Sequence, residues 1–118
     1  MMTLNGKQLD LTYDATNADD VERAEKAQEH FSAREKELAE KGELKRSEWL
    51  RFQCNTIFDY FDIIFGDGTH KLIFGDQTSL ELCMNTLMEF ATESSQNTTR
   101  LINVASQYMA SRLDRKKK

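Results

Sequence analysis

Between Leu50 and Phe90 the chain gathers most of its large apolar residues, spaced three and four apart and broken twice by "FGDG" and "FGD". That spacing is the helical period, and the glycines are the breaks. It predicts a central helix over 47–65, capped by Ser47 with Glu48 in the first turn. Its core side is Leu50, Cys54, Ile57, Phe58, Phe61, Ile64 and Phe65, which fall within an arc of about 120° at 100° per residue. Phe52 and Ile63, with Trp49 and Tyr60, lie outside that arc, so the helix is apolar on two sides. "THKLIF" fits a short helix over 69–74 closed by Gly75.

A last long helix is expected over 78–112, opened by Thr78 and Glu81 in capping-box spacing. Its stripe is Leu80, Cys83, Met84, Leu87, Met88, Phe90 and Ala91, resuming at Leu101, Ile102, Ala105, Tyr108, Met109 and Leu113 beyond the polar "ESSQNTT". Residues 113–118 form a basic tail. Upstream, Asn5-Gly6 between Leu4 and Leu9 is a type I′ hairpin signal, placing a β-hairpin within 1–13 that must lie on the helices to be stable. Residues 17–41 read as a charged helix with a narrow apolar stripe of Val21, Ala24, Ala27, Phe31 and Leu38. Asp19–Arg23, Glu22–Lys26 and Glu37–Lys41 are favourably ordered i,i+4 pairs, and Gly42 ends or kinks that helix. The fold expectation is mainly α: an N-terminal β-hairpin packed on a small bundle of three main helices plus one short turn, the C-terminal helix being long.

At 118 residues this is a single domain, since a second core could not be filled. The apolar share is 39%, the charged share 31% and the mean hydropathy −0.66, leaving material for one small core. No proline interrupts the helices. Residues 1–93 hold ten Lys/Arg against nineteen Asp/Glu, a net of −9, whereas 94–118 hold six against Asp114, a net of +5. An acidic body does not steer itself onto nucleic acid, and no aromatic residues interleave with the charges of "RLDRKKK". Cys54 and Cys83 sit inside helical patterns and are expected as reduced, buried thiols. Without a basic-then-apolar leader or a run of about 20 apolar residues, the chain is expected to be soluble and intracellular, without membrane contact.

Candidate chemistry is sparse. Asp59, Asp62, Asp67, His70 and Asp76 cluster in sequence, but Asp67-Gly68-Thr69 lacks the alternating ligands and closing glutamate of a calcium loop. One histidine among aspartates fits no zinc pattern. Neither His30 nor His70 has a Ser or Cys placed for a triad, and the glycines do not form a phosphate-cradling loop. The expectation is no enzyme, no metal and no cofactor. The surplus of Trp49, Phe52, Tyr60 and Ile63 has two readings. Either the hairpin and first helix cover it, or it forms an exposed patch for a protein partner.

The order "MTLNGKQLDL", charged helix, then "CNTIFDYFDIIFGDGTHKLIFGDQTSLELCMNTLMEF" resembles the tail assembly chaperones of long-tailed phages and prophages of Gram-positive bacteria, over roughly residues 2–91. The resemblance implies a non-enzymatic binder of the tape measure protein that keeps it soluble while tail tube protein polymerises around it. It implies a host-cytoplasmic protein absent from the finished tail, with Trp49, Phe52, Tyr60 and Ile63 as the partner surface. In that family a longer product often arises by ribosomal frameshifting, and Lys116-Lys117-Lys118 is compatible with an adenine-rich slippery site. Residues after Ala91 carry no matching motif. Leu101, Ala105, Tyr108 and Met109 are more than so small a core can cover, and are expected to pair with another copy in a homo-oligomer. The competing expectation is a small helical structural or regulatory protein that dimerises through its C-terminal helix.

Overall fold

The computed structural model describes residues 1–94, and the architecture is mainly helical with an N-terminal hairpin. Strands β1 (Met2–Leu4) and β2 (Lys7–Leu9) pair antiparallel, Met2 opposite Leu9 and Leu4 opposite Lys7. Asn5 and Gly6 both take positive φ, 54° and 72°, as a two-residue I′ turn requires. Met2 and Leu4 point inward and are buried, while Thr3 between them faces solvent.

Helix α1 (Ala18–Glu40) starts where Asn17 accepts from the backbone N–H of Asp19 and Asp20 at 3.0 and 3.1 Å. This cap and two first-turn aspartates favour the positive end of the helix dipole. It ends with Lys41 as C-cap and Gly42 in the left-handed region. Of the three expected ion pairs only Glu22–Lys26 forms, at 3.2 Å. Arg23 pairs with Asp20 because its Nε donates across to the Ile64 carbonyl at 3.1 Å, turning its fork away from Asp19. Glu37 pairs with Arg34 at 2.8 Å, and the Lys41 ammonium sits 5.3 Å from the Phe52 ring centroid. Tertiary contacts, worth more than exposed pairs, redirect both cations.

Helix α2 (Arg46–Phe65) opens one residue ahead of the expected 47–65, with Lys45 as N-cap and no side-chain cap. Ser47 is therefore inside the first turn, correcting the expected cap; the Trp49 N–H reaches the Lys45 carbonyl at 3.0 Å. The helix stops at Gly66, whose φ of 116° and ψ of 156° exclude residues bearing a Cβ. Helix α3 (Thr69–Phe74) follows. Helix α4 begins at residue 80 and is described to residue 94, so the expected span to 112, the basic tail 113–118 and the second half of its stripe lie outside the described residues. The α4 cap is Ser79, whose Oγ accepts from the Leu82 N–H at 3.4 Å, in place of the Thr78–Glu81 box.

The core is aromatic. Phe61 is fully buried, contributing about 2–3 kcal/mol by burial. Phe90 of α4 meets Tyr13, Tyr60, Phe61 and Phe65 edge-to-face with centroids 5.4–6.3 Å apart, a favoured geometry. The buried face of α2 includes Phe52 and Thr56, outside the expected arc, because α1 covers that second side. On α4 the buried positions are Cys83, Thr86 and Phe90. Met84 and Met88 were expected on the core stripe and are instead 47% and 66% exposed; the arc is rotated toward Thr86, whose hydroxyl donates to the Leu82 carbonyl at 2.7 Å and so needs no distant partner.

Candidate interaction surface

Of the four residues expected to form a partner surface, α2 presents one. Trp49 is 40% exposed. Phe52 is 8% exposed, lying under the guanidinium of Arg34 at 4.1 Å and the Lys41 ammonium. Charged α1 thus covers an aromatic ring with cations, a favourable arrangement, and the narrow apolar stripe is sufficient as a lid because the long Arg and Lys stems extend it. Tyr60 is half-buried between Phe31 and Phe90 at 6.2 and 6.3 Å. Burial pushes its phenol pKa upward, with the Tyr13 phenol adding a smaller rise. Ile63 is half-buried in a separate groove beside Leu11, Asp20 and Arg23. The four therefore do not form one continuous exposed face: Arg34 and Lys41 cover Phe52, Phe31 and Phe90 flank Tyr60, and Ile63 shares its groove with Leu11.

Trp49 instead belongs to a groove that the sequence did not indicate. Where α1 hands over to α2, Leu38, Ala39, Gly42, Leu44, Arg46 and Trp49 line an open depression of about 440 Å³. Gly42, at φ 76°, turns the chain so that Leu44 falls back beside Leu38. An apolar residue alone in "KGELKR" was the available signal for Leu44.

Two of the clustered aspartates, Asp59 and Asp62, make structure-forming contacts. Asp62 accepts from the backbone N–H of His70 at 2.9 Å with one oxygen and contacts His70 Nδ1 at 2.8 Å with the other. It thereby caps α3 from the preceding helix, while the His70 ring stacks on Phe58 at 4.7 Å. Asp59 pairs with His30 Nε2 at 2.9 Å, joining α2 to α1. Among the described residues no three His, Cys, Asp or Glu are grouped to hold a metal, and no helix is long and apolar enough to cross a membrane. Cys54 and Cys83 are free and buried; burial pushes the Cys83 thiol up to about 12 and raises that of Cys54. Leu101, Ala105, Tyr108 and Met109 lie outside the described residues.

The chain belongs to the family described as "Family of unknown function (DUF6673)", whose model matches residues 5–118, from the hairpin turn through the basic tail. No curated protein and no solved structure matches it.

Proposed function

We propose that this DUF6673 member is a non-enzymatic assembly chaperone, binding the tape measure protein of a long-tailed phage in the host cytoplasm and leaving as tail tube protein polymerises around it. The observation that carries the reading is the Trp49 groove. An indole held half-open over Leu38 and Leu44, at the exposed end of a helical hairpin, offers a pocket for an apolar side chain of a partner helix. One such contact is weak and reversible. Many copies along a partner with repeating apolar faces would coat it through multivalency and still release stepwise. The sequence resemblance over residues 2–91 supplies the partner's identity. Phe52 acts from beneath, as the packed support of the helix that presents Trp49.

The test uses the chain's single tryptophan. Co-expression with a helical fragment of the tape measure protein of a long-tailed phage should keep that fragment soluble and co-purify the two. Adding fragment to the purified chain should shift Trp49 emission to the blue, and Trp49→Ala should abolish capture while the circular dichroism spectrum is retained. Absence of capture, or capture unchanged by Trp49→Ala, would refute the reading. So would stoichiometric retention of the chain in purified tails.

A further inference from the structure

The core holds a pair of nucleophiles that the partner surface does not use. Cys54 of α2 and Cys83 of α4 are free, fully buried at 0% exposure each, and part of one apolar cluster. They are far apart in sequence, yet packing brings their side chains together, and the two thiols hydrogen-bond to one another. Burial holds both protonated, with Cys83 pushed up to about 12. Their shared hydrogen bond lowers Cys54 and raises Cys83, so Cys83 donates and Cys54 is the sulfur that carries negative charge at less cost.

A single buried cysteine behaves as an inert small hydrophobe. Two in contact differ chemically, because oxidation of one sets an electrophilic sulfur against the thiol of the other. Hydrogen peroxide is close to water in size, which is the class of oxidant suited to thiols with no exposed surface.

We propose that Cys54 and Cys83 are a peroxide-responsive dithiol that closes into a disulfide, stapling α4 to α2. The Cys54 thiolate attacks one oxygen of hydrogen peroxide and the O–O bond breaks, giving Cys54 sulfenic acid and hydroxide. The hydroxide takes up the proton that Cys54 lost and becomes water. The Cys83 sulfur then attacks the Cys54 sulfur, the S–O bond breaks, and the departing oxygen leaves as a second water with the Cys83 proton. Two thiols are oxidised by two electrons in all, and one peroxide is reduced to two waters. Because Cys83 is already in contact, the sulfenic acid is consumed before a second peroxide converts it to sulfinic acid. The bond closes a loop from residue 54 to residue 83 and so restrains the unfolded chain. This device is independent of what binds at Trp49, since it shares no residue with that groove.

The experiment treats the full chain with hydrogen peroxide, then digests it with trypsin in the absence of reductant. Cleavage after Arg51, Lys71 and Arg100 should leave peptides 52–71 and 72–100 joined, two hydrogens lighter than the separate pair and parted by dithiothreitol. Oxidation of the exposed Met84 and Met88 adds oxygen to peptide 72–100 and is told apart by mass. The joining rate should rise about tenfold per pH unit from pH 7 to 9, following the thiolate fraction. The joined monomer should unfold in urea with an equilibrium constant about a hundredfold lower than that of the reduced chain, a gain that dithiothreitol reverses. Thiols left intact once the methionines are fully oxidised would overturn the proposal. So would sulfinic acid at either cysteine without joined peptides, bridges between chains in place of bridges within one, or a joined form no more stable than the reduced chain.

Discussion

The side-chain amide of Asn5 donates to the carbonyl of Ile73 at 2.9 Å, tying the hairpin turn to the last turn of α3. The same residue holds φ at 54°, and its backbone N–H donates to Glu89 of α4 at 3.1 Å. One turn residue therefore joins three elements distant in sequence. Asn5→Gly keeps the turn geometry and removes the amide, and should cost about 1 kcal/mol. Asn5→Ala adds left-handed strain and should cost about 1–2 kcal/mol more. Urea unfolding of the two variants separates tether from turn; equal losses would mean that the tether alone matters.

Trp49 and Phe52 are three residues apart on α2 and differ in environment. Phe52→Ala removes a ring packed under Arg34 and should cost about 3 kcal/mol. Trp49→Ala removes a partly exposed ring and should cost about 1 kcal/mol or less. Chemical denaturation measures both, and a loss at Trp49 as large as at Phe52 would make Trp49 a core residue with no surface role.

Asp62 closes the α2–α3 corner through both its oxygens. Asp62→Ala should destabilise by about 1–2 kcal/mol, as loss of a capping side chain does. Asp62→Asn retains one acceptor and should recover part of that. Addition of divalent cations should leave the wild-type melting temperature unchanged; a rise would reopen the metal reading.

Alkaline pH should weaken the fold. Burial raises the pKa of Cys54, Cys83 and Tyr60 above their ordinary values of 9.0, 9.0 and 10.0, and Cys83 reaches about 12. Each raised pKa means that the folded chain keeps a proton the unfolded chain has lost. Stability from these groups is thus complete below about pH 9 and falls between pH 9 and 12, by up to about 1.4 kcal/mol per pH unit for each group held neutral. Denaturation midpoints measured from pH 7 to 11 should be flat and then decline. Cys83→Ala should flatten the decline even as it lowers stability overall, and an unchanged slope in that variant would exclude Cys83 as a source.

The hairpin turn at Asn5-Gly6, the span of α1, the breaks at Gly66 and Gly75 and the aromatic side of α2 are local matters, decided by backbone sterics and by residues within a turn of one another. Those were legible in the sequence, as was the short α3. What lies between elements was not. Arg34 and Lys41 read as solvated charges because periodicity records polarity and not reach, yet their stems carry them over Phe52. The contact between Asp62 and His70 was not legible either, because spacing cannot say that one would cap the other's helix. Leu38, Leu44 and Trp49 converge only because Gly42 reverses the chain. The rotation of α4 that buries Cys83, Thr86 and Phe90 and exposes Met84 and Met88 was hidden because Thr86 reads as polar, yet its hydroxyl is satisfied within the helix by the Leu82 carbonyl. Sequence set each element's type and ends through short-range forces. The surfaces left open to partners were decided only when the elements packed, since exposure belongs to the assembled chain.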